Sequence, residues 1–136
     1  MKKLLYACTL LVVMVFPLFA EIAPEEYRNM QLRAEDHVII AVRRVSLRRP
    51  LFSSSTNVTV KAEVIEVFKS NSNLSIGDQI TIAYTHTRLR KGAAGPRSIP
   101  ILKKGTETTA FIAFDVEHNH YIPVARGASF EHLIRL

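Results

Sequence analysis

The chain has 136 residues, with 18 lysine and arginine residues against 12 aspartate and glutamate residues and a formal net charge of +6. This length leaves room for one domain rather than two, and the single cysteine, Cys8, excludes an internal disulfide and a cysteine-based zinc site. The fold must therefore be stabilised by its own hydrophobic core, and the basic charge favours anionic partners.

The first twenty residues have the layout of a secretory signal peptide. Two lysines precede an apolar run over residues 4–16, and Ala20 is the small residue expected before a cleavage point. We predict a cleaved signal peptide over residues 1–20, a secreted or periplasmic location and no transmembrane segment after cleavage. An uncleaved anchor is the alternative, because Leu18 is bulkier than usual for its position, but the run is shorter than the roughly 20 residues of a spanning helix.

Residues 21–136 are predicted to form a single domain that begins with a short helix. Pro24-Glu25-Glu26 is typical of a helix start, because proline fits the first turn and acidic side chains favour the positive end of the helix dipole. The apolar run over residues 38–42 predicts a first strand that is covered on both faces and ends at Arg43-Arg44-Val45.

Two further strands are predicted from alternating apolar and polar residues. From Val58 to Val64 every second residue is apolar, and the same alternation occurs from Ile80 to Tyr84. At Ile65 the alternation slips by one residue. This slip predicts a β-bulge of the kind that lets a long strand bend into a small barrel.

A long basic loop is predicted over residues 85–100, followed by two more strands. Residues 108–114 are apolar on both faces, and the last strand, over residues 121–124, contains Pro123, which predicts a sheet edge. Five strands, one of them bulged, predict an all-β fold: a small, closed or nearly closed antiparallel barrel of the oligonucleotide/oligosaccharide-binding (OB) type. A two-sheet sandwich is the alternative.

Short motifs follow one another at the ends of these strands. They are Val67-Phe68-Lys69, then Gly77-Asp78, then Lys104-Gly105 ahead of the apolar stretch 110–114. In this order they resemble the netrin-like domain of bacterial secreted proteins, a fold that also forms the N-terminal part of tissue inhibitors of metalloproteinases. The resemblance implies a five-stranded OB-like barrel. It does not imply protease inhibition, because those inhibitors use an N-terminal cysteine, whereas the mature chain would begin at Glu21.

The histidines offer one candidate metal site. His118 and His120 are two residues apart, so on a strand both imidazoles face the same side and could share a zinc or copper ion, with His86 or Glu117 as a further ligand. A solvated polar turn is the alternative interpretation. The serines and carboxylates form no pattern typical of a hydrolase, so we predict no enzymatic activity, no catalytic residues and no cofactor.

Basic residues provide the stronger functional prediction. We expect five of them to converge on one face: Arg43, Arg44, Arg88, Arg90 and Lys91. Such a face would bind an anionic envelope glycan, a lipid headgroup or an acidic protein partner. Nucleic acid is not expected, because the chain has no Trp and few aromatic stacking platforms. The sequence thus predicts a non-catalytic binding or interaction module. The alternatives are a small metal-binding protein that uses the histidine pair, and an accessory inhibitor or modulator of an envelope enzyme.

Overall fold

The structure is a computed structural model that describes residues 22–92 and 95–136. In the described residues the elements follow in this order: α1 (Pro24–Arg33), β1 (Asp36–Arg48), β2 (Ser55–Ser70), β3 (Gln79–Thr87), β4 (Glu107–Asp115), β5 (His120–Pro123) and a 3-10 turn (Arg126–Ala128). The predicted signal peptide lies outside the described residues. No helix in the described part of the chain is long and apolar enough to span a membrane.

The five strands form a closed barrel in the order β1-β2-β3-β5-β4, and β4 pairs with β1 to complete it. This arrangement confirms the predicted five-stranded barrel with a short N-terminal helix, is consistent with an OB-like barrel, and shows that the sandwich alternative is wrong. The barrel is not antiparallel throughout, because β3 and β5 pair in parallel where Ile82 meets Tyr121.

The predicted edge position of the last strand is also wrong. β5 pairs with β4 on one side and with β3 on the other, so it has no free edge. Pro123 is the last residue of β5. At the end of a strand the missing N–H interrupts no hydrogen bond within the ladder, and the proline is therefore tolerated.

Bulges bend the two longest strands. Ile40 pairs with Val64 and Ile39 with Glu66, so Ile65 is the extra residue in β2, which confirms the predicted bulge. A second irregularity falls at Arg43 in β1. The extra residue shifts the side-chain phase while pairing continues to Arg48. The pattern predicted that the first strand ends at residues 43–45, and this prediction is wrong because the strand continues to Arg48.

The barrel interior is filled by alternating apolar side chains. β2 contributes Val58, Val60, Ala62 and Val64, each at most 1% exposed, and β3 contributes Ile80 and Ile82. Removal of this apolar surface from water is the main stabilising contribution to the fold. The apolar β4 serves two clusters, because Ala110 and Ile112 face the interior whereas Phe111 faces outwards.

Helix α1 packs outside the barrel against β4 and the C-terminal segment. Tyr27 and Ala34 are buried with Phe111 in the outer cluster. The buried amide of Gln31 donates from Nε2 to the Ala128 carbonyl (2.9 Å) and accepts at Oε1 from the Ile134 N–H (3.0 Å). The helix precedes the start of β1, and the β1–β2 turn lies at the other end of that strand.

Candidate functional site

The ends of β1 and β3 meet at one end of the barrel. β1 ends at Arg48 and β2 begins at Ser55, and Ser55 pairs with Thr87 at the end of β3. The Arg88 N–H donates to the Ser54 carbonyl at 3.2 Å. We call this region the basic end: the β1–β2 turn (residues 49–54) and the loop after β3 (residues 88–92 and 95–106).

A cleft of about 290 Å³ lies at the basic end. We call it the basic cleft, and its lining consists of Arg49, Ser53, Ser54, Thr56, His86, Arg88 and Ile101. Among the residues that the structure describes, this lining contains two guanidinium groups, three hydroxyl groups and an imidazole, but no carboxylate. A site of this composition attracts an anion, because guanidinium groups bind phosphate or carboxylate oxygens with paired hydrogen bonds.

His86 connects β3 to the loop above it. Its Nδ1 lies 2.7 Å from the Ile99 carbonyl oxygen, and a carbonyl can only accept, so Nδ1 carries the proton. Nε2 then has no protein partner among the described residues. It is a hydrogen-bond acceptor when the ring is neutral and a donor when the ring is charged.

Tyr84 fixes the same loop further along β3. Its hydroxyl donates to the Pro100 carbonyl at 2.8 Å and accepts from the Leu102 N–H at 3.4 Å. Burial raises the pKa of Tyr84 to about 12. The hydroxyl therefore keeps its proton and remains a donor, which holds one wall of the basic end in place.

The five predicted basic residues do not all reach this cleft. Arg88 lines it, whereas Arg90 and Lys91 are exposed in the following loop and are not part of the lining. Arg43 is bound to Glu63, with Nη2 2.6 Å and Nε 3.2 Å from Oε2. Arg44 pairs with the Lys61 position on the outer wall. The structure thus groups Arg88 with a different arginine from the two predicted.

Arg49 is the charged cleft residue that sequence reasoning missed, whereas His86 was predicted only as a further metal ligand and lies in this cleft instead. Arg49 directly precedes Pro50 and the serine-rich stretch, which indicates a turn. If the first strand had been predicted to end at Arg48, Arg49 would have been placed at the turn. The strand was predicted too short because the bulge at Arg43 exposes two successive arginines, and this pattern resembles the end of a strand.

An apolar tip projects at the basic end. In the β1–β2 turn, Leu51 is 88% exposed and Phe52 is fully exposed. Phe52 also has a φ of 61°, in the left-handed region that bulky side chains rarely adopt. Two large neighbouring apolar side chains at one turn are unusual on a protein surface.

The histidine pair lies in a separate groove of about 350 Å³ on the outer face of β2 and β3. The His118 Nδ1 is 2.8 Å from Asp115 Oδ2, and the ring centroids of His118 and His120 are 5.7 Å apart. The hydrogen bond from His118 lowers the pKa of the Asp115 carboxyl. His86 lies in the basic cleft instead. In the described residues, no three metal-ligating side chains come together.

Comparisons of this chain with protein-family models, with curated proteins and with solved structures found no match. The resemblance to the netrin-like domain therefore stays a prediction, and the function is argued from the site itself.

Proposed function

We propose that the chain is a secreted or periplasmic binding module, without catalytic activity, that binds an anionic group in the basic cleft. One observation supports this most directly. Arg49 and Arg88 line a single cleft together with hydroxyl groups, and the described lining contains no carboxylate to neutralise them. An arriving anion supplies the missing charge and replaces the water on both guanidinium groups.

The size of the cleft limits the ligand. A volume of about 290 Å³ is at the small end of ligand sites, so the cleft holds one acidic group rather than a whole polymer. A phosphate, sulfate or carboxylate on an envelope glycan, a lipid headgroup or a protein side chain fits this description. The netrin-like form of the OB barrel, in which loops between strands form the binding surface, is part of the same proposal.

Salt-dependent binding to an immobilised acidic polysaccharide tests this function. We expect binding that weakens steeply with salt and a dissociation constant that rises roughly tenfold or more in the double variant Arg49→Gln, Arg88→Gln, since charged hydrogen bonds are lost. The matched control is Arg44→Gln, which removes an exposed arginine from β1 outside the cleft. Equal weakening in both variants would contradict the proposal, and capture of a protein without polysaccharide binding would favour the accessory-modulator alternative.

A specific geometry supports metal binding at His118 and His120 as a second candidate function. Asp115 accepts from Nδ1 of His118, an arrangement that orients the ring and makes the other nitrogen a better ligand. Two imidazoles on one tetrahedral ion, at Zn–N distances of about 2.0 Å, have centroids roughly 5 Å apart, close to the 5.7 Å observed here.

A zinc titration followed by thermal unfolding tests the second candidate. We expect zinc to raise the melting temperature of the wild-type chain, and to have no effect on the double variant His118→Ala, His120→Ala. His132→Ala, an exposed histidine outside the groove, is the control and should respond like the wild type. A wild-type melting curve that zinc leaves unchanged eliminates this candidate.

A further inference from the structure

The apolar tip at the basic end is not explained by anion binding alone. Leu51 and Phe52 stand at the extremity of the β1–β2 turn, and they are the two most exposed large apolar residues in the described structure. Phe52 is held there in a left-handed conformation that a glycine or asparagine would adopt with less strain. An aromatic side chain in such a position implies a use for its exposed ring.

The surroundings of the tip are basic. Arg48 and Arg49 precede it in the chain, and the hydrogen bond from the Arg88 N–H to the Ser54 carbonyl brings the loop after β3 alongside. That loop adds Arg90 and Lys91, both exposed, together with a further half-exposed apolar residue, Leu89. The tip is therefore an apolar projection with basic residues in the same turn and in the adjacent loop.

We propose that the basic end docks on the surface of an anionic lipid bilayer, with Leu51 and Phe52 inserted among the lipids and a headgroup phosphate in the basic cleft. This inference rests on the proposed anion-binding function. Short apolar projections enter the headgroup region, where aromatic rings are favoured, and each basic residue at an anionic surface adds roughly fivefold to the affinity.

Charge and shape favour a bilayer over a protein as the partner. A protein that covered these two strongly exposed side chains would need a matching pocket, whereas a fluid lipid layer accommodates a projection of any shape. The basic side chains of the turn and of the adjacent loop would face a continuous sheet of headgroups, so each of them would be attracted to the same surface. The cleft behind the tip would lie at headgroup depth.

Co-sedimentation with vesicles tests the docking. Vesicles of phosphatidylglycerol are compared with vesicles of phosphatidylcholine, using the full chain in every case. We expect the wild type to bind phosphatidylglycerol, and the double variant Leu51→Ser, Phe52→Ser to lose at least roughly tenfold in vesicle affinity while its binding to soluble acidic polysaccharide is kept. The matched control is Ile76→Ser, another strongly exposed apolar residue, which lies in the β2–β3 loop at the other end of the barrel.

A fluorescent reporter keeps the test independent of residues 1–20. The chain has no tryptophan, so Phe52→Trp places a single reporter at the tip and Ile76→Trp a single reporter far from it. We expect a blue shift on addition of phosphatidylglycerol vesicles for the first variant and none for the second, because only the tip enters an apolar environment.

The outcomes separate the two proposals. Polysaccharide binding without vesicle binding, or equal vesicle binding by wild type and tip variant, overturns the membrane inference and leaves the anion-binding function intact. Loss of polysaccharide binding in the tip variant also overturns the membrane inference, because Leu51 and Phe52 would then act by maintaining the shape of the basic cleft and not by contacting lipid. A wild type that binds neither probe overturns both proposals.

Discussion

At one end of the barrel a buried carboxyl is surrounded by hydrogen-bond donors, whereas at the other end two guanidinium groups line a cleft without a carboxylate. The first region comprises the start of β1, the end of β2 and the β2–β3 loop (residues 71–78), and we call it the serine end. Here Asp36 is fully buried and accepts at Oδ1 from Ser70 Oγ (2.6 Å) and at Oδ2 from Ser72 Oγ (2.9 Å). Polar groups paired inside the protein stabilise the fold, and those left without internal partners are available to a ligand.

The hydrogen bonds at the serine end extend across the barrel. Because Ser72 Oγ gives its proton to Asp36, the Tyr121 hydroxyl must donate to Ser72 Oγ, at 2.9 Å. Burial raises the pKa of Tyr121, so this donor keeps its proton well into the alkaline range. This series of hydrogen bonds thus joins β1, the β2–β3 loop and β5, and it satisfies both oxygens of the buried Asp36 carboxylate.

The largest expected effect is the loss of stability on Asp36→Ala. The substitution leaves the half-buried Ser70 and Ser72 hydroxyls without their acceptor and removes a fully buried side chain, so we expect the free energy of unfolding to fall by about 3 kcal/mol. Urea unfolding measures it. The control is Asp78→Ala, a half-buried carboxylate that accepts from the Ser75 N–H in the same loop, with a loss of about 1 kcal/mol or less.

Equal losses in the two aspartate variants would contradict the assignment of the serine end as the stabilising end. A second readout sharpens the comparison. Folded Asp36→Ala protein should still bind acidic polysaccharide with the wild-type dissociation constant, because the basic cleft lies at the opposite end of β1.

Much of the barrel could be predicted from the sequence, because burial alternates with the pleat. The alternation over residues 58–64 identified the inward face of β2, and the slip at Ile65 identified its bulge. The parallel pairing of β3 with β5 could not be predicted in this way. It depends on which strands meet when the barrel closes, and a side-chain pattern carries no information on strand direction.

A second effect, of about 2 kcal/mol, is expected from Gly127→Ala. An added Cβ would lie 2.5 Å from Arg97 Cβ and 2.9 Å from the Arg97 carbonyl oxygen. Arg97 holds the loop after β3 against the helix, because its backbone N–H donates to the Tyr27 hydroxyl at 2.8 Å. The substitution therefore loosens one wall of the basic end, and thermal or urea unfolding detects the loss.

Gly105→Ala is the control for the glycine variant. Gly105 has a φ of +82°, but an added Cβ would meet nothing within 4 Å. We expect Gly105→Ala to lower the free energy of unfolding by about 1 kcal/mol, and this loss comes from backbone strain alone. A loss in Gly127→Ala no larger than this would mean that the close approach of Arg97 relaxes freely, and that the loop is not held at this point.

The third prediction concerns pH and the side chain of His37. Its ring stacks on Phe111 at 4.2 Å and lies 4.7 Å from Phe68, and burial, followed by the charge of Lys69, lowers its pKa below 6.5. The unfolded chain binds this proton at higher pH than the folded chain does. The contribution of His37 to the free energy of unfolding is therefore fully present above pH 6.5, and it is lost as the pH falls through the pKa of the folded state.

The variant His37→Gln should flatten this dependence. Urea unfolding at about one pH unit on either side of 6.5 should show a smaller difference in the free energy of unfolding than in the wild type. His132 and Arg135 line the same groove as His37, so His132→Gln is the matched control and should keep the wild-type dependence. An unchanged slope in His37→Gln would show that other groups cause it.

The candidate site was less predictable than the fold, for a reason visible in β1. Charge runs show which residues are basic, but only the register decides which of them meet. Arg88 was recognised, whereas Arg49 was missed, because the strand continues four residues beyond Arg44. Arg43 is exposed and basic, yet its partner Glu63 on the neighbouring strand already neutralises it. Pairing across strands, rather than composition, separates a binding arginine from a structural one.

The smallest effect is expected from Arg43→Gln, and it tests that separation directly. The hydrogen bond from Arg43, and then its charge, lower the pKa of the Glu63 carboxyl below 4.5. Removal of the guanidinium should raise this pKa towards its ordinary value, as an NMR titration of the carboxyl would show, while Arg44→Gln leaves it unchanged.

Because a surface ion pair contributes little to stability, the free energy of unfolding of Arg43→Gln should barely change. Polysaccharide binding should not change either. If it weakens as much as in the Arg49 and Arg88 variant, the anion-binding surface extends along β1 and the two ends of the barrel are not functionally distinct.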